Sequence, residues 1–181
     1  MNAVKVVTGI VTIANANIWE PTVIDGSPPM YTATIIIPKD EQKTITGIRT
    51  AVENAVREGN LKFEGSYFGK TARKNTPILD GDAEGMSGIF KNSWVVNAST
   101  FDIPSVVDHR VFPITDHTLV CSGSKVRVSL TFYPYANGKV KGIGCMLGNV
   151  QKALLVNKVE PLPLTQFDTF SEEFLRILLK V

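Results

Sequence analysis

Acidic residues are missing from about a quarter of this chain: His117 to Val159, 43 residues, contain neither Asp nor Glu. Seventeen acids spread evenly over 181 residues would place about four in such a window. The gap holds six cations, Lys125, Arg127, Lys139, Lys141, Lys152 and Lys158, so it carries +6 and the remainder −4 within a net charge of +2. A local excess of this kind marks a candidate polyanion surface.

Other scarcities exclude whole classes of chemistry. Only Cys121 and Cys145 are present, in different segments, so a disulfide framework is not expected and a reduced, intracellular setting is. His109 and His117 are the only histidines; neither lies in an H-x-E or H-E-x-x-H setting and no C-x-x-C occurs, which argues against zinc. No G-x-x-x-x-G-K-[ST] phosphate loop exists, which argues against a helicase or ATPase, and no cofactor is expected. No apolar run approaches membrane-spanning length, and the N-terminal apolar stretch, broken by Thr8, Gly9, Thr12 and Asn15, does not read as a signal peptide. Cys121 paired with a histidine has no local support as a nucleophile.

What is present reads mostly as strand. Val126, Val128, Leu130 and Phe132 alternate with Arg127, Ser129, Thr131 and Tyr133, the period of a strand with one buried face. Asn137-Gly138, the preferred pair of a two-residue turn, predicts a hairpin pairing Phe132 with Ile143, Leu130 with Cys145 and Val128 with Leu147. On its other face Tyr133 then opposes Gly142, Thr131 opposes Gly144 and Arg127 opposes Gly148. A base stacking on a ring beside bare backbone is one reading of that face; glycines permitting the coiling of a small barrel is a compatible second.

Lys5 to Ala14, Tyr31 to Ile37 and Ile89 to Ser99 are further strand candidates, and Asp40 is placed to cap a helix running to about Glu58 and closed by Gly59. A β-β-α-β-β-β order, with the main helix after the second strand, suits a mostly β, OB-type Greek-key barrel in one domain, 1–160. Residues 161–181 read as an extension: Thr169 with Glu172 forms a capping box, and Phe170, Phe174, Ile177 and Leu178 share a face of a short amphipathic helix. That helix is expected to dock on its own barrel or on a second copy in a homodimer.

Leu61 to Asn75 reads as a loop in which Lys62, Lys70, Arg73 and Lys74 interleave with Phe63, Tyr67 and Phe68. It is either a stacking and phosphate-binding loop or a solvated loop pinned by its aromatics. Trp94 is core or platform, depending on which face of its strand turns inward. Asp80, Asp82 and Glu84 are the sharpest enzymatic candidate, as Mg²⁺ or Ca²⁺ ligands of a nuclease, against a turn whose acids merely cap it.

The strings KVVTG, ANIWEP, NTPILDGD, VVNAS followed by PSVVD, and FYPY…GIGCMLGNVQK, in that order over about residues 4 to 153, resemble bacteriophage single-stranded DNA-binding proteins with an OB fold. The resemblance implies a phage replication or recombination protein in the cytoplasm of the infected bacterial host. Such a protein coats and protects single strands without sequence preference and recruits replication enzymes such as a polymerase or helicase-primase. It also recasts NTPILDGD as a structural segment. After VVNAS, where it implies a lysine-bearing stretch, this chain has Thr100, Phe101, Asp102 and Ile103. The expected binding set is Lys70, Arg73, Lys74, Lys91, Lys125, Arg127, Lys139 and Lys141 for phosphates, with Trp94, Phe101, Tyr133 and Tyr135 for bases. Alternatives are the nuclease, a strand-annealing recombination protein and a virion structural protein.

Overall fold

The computed structural model describes residues 3–23, 26–63, 67–73, 75–86, 88–138 and 140–153. Its strands are β1 (Lys5–Val7), β2 (Val11–Thr22), β3 (Met30–Pro38), β4 (Ile78–Asp80), β5 (Ser93–Thr100), β6 (Val106–Val107), β7 (Lys125–Asn137) and β8 (Val140–Lys152). Its helices are α1 (Gln42–Lys62) and the short α2 (Tyr67–Ala72). The extension 161–181, with its expected helix, lies outside the described residues, so the division at 160 stays an expectation.

Five strands close on themselves. β7 pairs β2, β2 pairs β3, β3 pairs β5, β5 pairs β8 in parallel, and β8 returns antiparallel to β7. This ring is the OB-type barrel expected from the sequence. Its interior is filled by Val11, Ile13, Ile35, Ile37, Val96, Leu130 and Phe132, each at most 0% exposed, with Ile48, Ala55 and Val56 of α1 closing one end. Fully burying an aliphatic or Phe side chain is worth about 1.5–3 kcal/mol, so this alternation holds the barrel shut.

The first expected strand is two. Thr8, Gly9 and Ile10 interrupt it where α1 begins: the Gly9 amide donates to Thr44 Oγ1 at 2.8 Å, and a β-carbon at Gly9 would stand 2.9 Å from Glu41 Cδ. The main helix therefore follows the third strand, not the second. It also passes Gly59 and continues to Lys62, because Gly59 serves close packing rather than termination. A β-carbon there would lie 2.6 Å from Phe68 Cδ1.

The hairpin forms with a shifted turn. Asn137 pairs with Val140, so the loop is Gly138-Lys139, Gly138 adopts φ +56°, and Phe132 meets Cys145, Leu130 meets Leu147 and Val128 meets Val150. Tyr133 faces Gly144 and Tyr135 faces Gly142, while Arg127 faces Gln151. The displacement is even up to a bulge at Val128/Leu130, so inward residues stay inward although every partner changes.

Candidate nucleic-acid interface

A groove crosses the outer surface of β2, β3 and β5 and ends against the hairpin. Its middle encloses about 660 Å³ and is walled by Asn15, Asn17, Thr32, Thr34, Asn97 and Ser99, none of them ionisable. At one end it continues past Leu79, Met86, Phe90 and Val95; at the other it reaches Met30, Phe101, Asp102, Tyr133 and Met146, so a single carboxylate stands in that end wall.

The floor is polar because the outward positions of these strands are. Thr32 and Thr34 alternate with the buried Ala33 and Ile35 on β3, and Asn97 and Ser99 with Val96 and Ala98 on β5. On β2 the pairing with β3 is irregular between Ala14 and Asn17, and Asn15 sits at φ +45°, a left-handed conformation that asparagine tolerates. The Ala16 amide in that bulge donates to Ser122 Oγ at 3.0 Å, which fixes the bulge against the turn preceding β7.

At the hairpin end two tyrosines lie across glycines. A β-carbon at Gly142 would stand 2.6 Å from the Tyr135 hydroxyl oxygen, so the glycine strip is not bare, as the sequence suggested, but covered by the rings. Tyr133 is 43% exposed and joins Phe101, at 67%, in the groove's end wall. Partial burial pushes the Tyr133 hydroxyl above the ordinary phenol range, so the ring is neutral at any working pH.

The cations are spread around this surface. Lys125 donates to Thr12 Oγ1 at 2.6 Å, on the strand next to the groove wall. Arg127 Nε donates to the Thr8 carbonyl at 3.2 Å, six residues up the strand from Tyr133. Lys141 and the exposed Lys70 stand where α2 and β8 meet: Asn75 donates to the Lys141 carbonyl and its own carbonyl accepts from Ile143. Lys91 is exposed in the turn before β5. Lys74 and Lys139 lie outside the described residues.

Three expectations change. The described residues of the 61–75 segment are largely helical, and Phe63 and Phe68 stack at 5.3 Å with Phe68 fully buried, so these aromatics anchor it. Its Arg73 is committed to Glu53 at 2.8 Å, and the guanidinium holds that carboxyl below its usual range. Trp94 packs against the core on the Val96 side of β5, with Arg49 and Lys39 over its ring at 4.8 and 5.2 Å, so its faces are occupied by cations rather than open to bases.

The acidic turn is neutralised by a lysine. Lys39 Nζ bridges Asp80 at 2.6 Å and Asp82 at 2.7 Å, while Asp82 also accepts from the Asn92 amide. The Lys39 ammonium holds Asp80 below the usual carboxylate range, and the Asn92 amide, then Lys39, does so for Asp82. Where a nuclease would need a divalent cation a side-chain cation already sits, and among the described residues no three His, Cys, Asp or Glu gather as metal ligands.

The groove floor escaped the sequence reading, because outward Asn and Thr look like any solvated face. A signal existed: Asn15, Asn17 and Asn97 occupy strand interiors, where asparagine is disfavoured unless it has work to do.

The single-stranded DNA-binding protein of bacteriophage Enc34, solved in complex with ssDNA, superimposes with TM-score 0.72 at 21% identity, over 82% of this chain and 85% of that one. A C-terminal truncation of the same protein gives 0.70 at 21% identity, over 82% and 84%. The bacteriophage T7 single-stranded DNA-binding protein gp2.5 gives 0.59 at 17% identity, over 82% and 85%. At these identities the likeness establishes the fold. No curated protein matches the chain in sequence. The family model described as Enterobacter phage Enc34, ssDNA-binding protein, matches residues 4–162, which include every strand of the barrel, and the chain belongs to that family.

Proposed function

We propose that this chain binds single-stranded DNA along the β2–β3–β5 groove and protects it during phage replication or recombination, without catalysis. The observation that carries the reading is a groove with an uncharged middle, ending in exposed Tyr133 and Phe101 beside one carboxylate, Asp102, with Lys125 and Lys141 outside it, in a member of this family. Phosphates follow the cations and bases turn inward to the floor and the end wall. Tyr135, Lys70, Lys91 and Arg127 extend the surface, and Lys74 and Lys139 belong to the same segments.

The place of action is the cytoplasm of the infected host, in keeping with phage relatives and with the lack of any helix among the described residues able to cross a membrane. Replication enzymes, and a second copy of the chain in a homodimer, are the further partners proposed for this protein.

Anisotropy of a labelled oligo-dT and of a duplex of equal length, at two salt concentrations, tests the reading. Tighter binding of the single strand, weakening with salt, is expected; equal affinity for both, or none, overturns it.

A further inference from the structure

The groove floor has a hydrogen-bonding polarity that its own network sets. Thr34 Oγ1 donates to Asn97 Oδ1 at 2.9 Å, so the Asn97 amide turns its Nδ2 donor outward. Asn17 is held the opposite way: its Nδ2 donates to Thr32 Oγ1 at 2.9 Å and reaches the Asn15 carbonyl at 3.5 Å. Its Oδ1 is therefore the atom left for a ligand. Asn97 pairs across to Thr34 and Asn17 to Thr32, and the two threonines are alternate residues on one face of β3. One amide donor and one amide acceptor thus stand diagonally in the uncharged middle of the groove.

We propose that this pair reads the unpaired Watson–Crick edge of a nucleobase, an inference that rests on the groove being the single-strand site. Each of the four bases carries both a donor and an acceptor on that edge, so an amide donor with an amide acceptor suits all of them and favours none. In a duplex the same groups are spent on the opposite base. Selection of single strands then comes from the floor, by chemistry, while the charged surroundings contribute attraction that duplex shares. An uncharged floor fits this division, since a phosphate there would meet no cation.

The test compares oligo-dT with an oligomer of N3-methylthymidine of the same length. Methylation keeps phosphates, ring stacking and both carbonyls but removes the N–H that Asn17 Oδ1 would accept. Wild-type protein is expected to bind the methylated strand about tenfold more weakly, the scale of one lost hydrogen bond with a group left unsatisfied. Asn17→Leu is expected to weaken oligo-dT binding and bring the two strands within about twofold of each other, with an unchanged salt slope. Asn97→Leu, whose donor serves carbonyls that methylation leaves, should weaken both strands and keep their ratio. Thermal melts of both variants establish that they fold. Equal wild-type affinity for the two strands overturns the proposal, as does a methyl penalty that persists in Asn17→Leu and so reports a steric block. Failure of wild-type protein to bind oligo-dT at all would instead sink the single-strand reading beneath it.

Discussion

The Tyr133 ring lies over Gly144: a β-carbon at that glycine would stand 2.7 Å from the tyrosine hydroxyl and 2.8 Å from Cε2. The glycine thereby sets the ring's pose in the groove's end wall. Tyr133→Ala is expected to cost about 1–3 kcal/mol in single-strand affinity, the usual worth of one stacking ring. Gly144→Ala should lose a comparable amount by lifting the ring, although Tyr133 itself is kept. Affinity measured for both variants beside a melt decides it; full affinity in a folded Gly144→Ala protein would separate the pose from the binding.

Arg127 and Tyr133 act on different terms. They share a strand face but stand six residues apart, about 20 Å at the rise of an extended strand. Arg127→Ala should flatten the dependence of log affinity on log salt by about 0.7 if it neutralises one phosphate, whereas Tyr133→Ala should leave that slope alone. Their effects should add. A slope unchanged by Arg127→Ala would show that the strand does not reach this end of the hairpin.

Gly59 inverts an ordinary expectation for helices. Replacing an interior helical glycine by alanine normally stabilises by up to about 1 kcal/mol. Here the new methyl would press on the buried Phe68 ring, so Gly59→Ala should destabilise by about 1–3 kcal/mol, read as a lower midpoint in denaturant. Combining it with Phe68→Leu should recover part of the loss, which a backbone effect would not allow.

Acid should dissolve the contribution of the Lys39 bridge. Asp80 and Asp82 have lowered pKa values in the folded protein, so their stabilisation is present above the unfolded value of about 4 and lost as pH falls through the folded one. Lys39 is raised, so its share is present below about 10.5 and lost only at higher pH. The melting temperature of wild type should therefore exceed that of Lys39→Met by a steady margin from about pH 5 to 9, narrowing below about pH 4. A margin that persists undiminished at low pH would assign it to packing on Trp94 instead.

Period-2 alternation in β7 was legible because an inward Leu130 or Phe132 cannot be exchanged for an outward Thr131 without loss of the core. Register was not: moving the turn from Asn137-Gly138 to Gly138-Lys139 preserves every face, so the hydrophobic pattern is blind to it. Tyr133 was singled out as the outward ring of an alternating strand and Phe101 as an aromatic where the resemblance implies lysines; the fold brings both to the end of the groove. Trp94 misled for the same reason, since its neighbours Arg49 and Lys39 come from elements distant in sequence. Asn17 and Asn97 acquire meaning only when the curl of the sheet brings β2 and β5 to either side of β3, a relation that local pattern does not encode.

The barrel is closed between β5 and β8 by a single parallel register pair, Ser99 with Met146, and both residues also line the groove where it meets Tyr133. A single strand bound in the proposed groove would therefore lie across the join with the fewest register pairs of the ring. Such a strand would act as a splint: binding only the closed ring, it would stabilise that join by mass action, so that the protein shielding the nucleic acid would itself be harder to open.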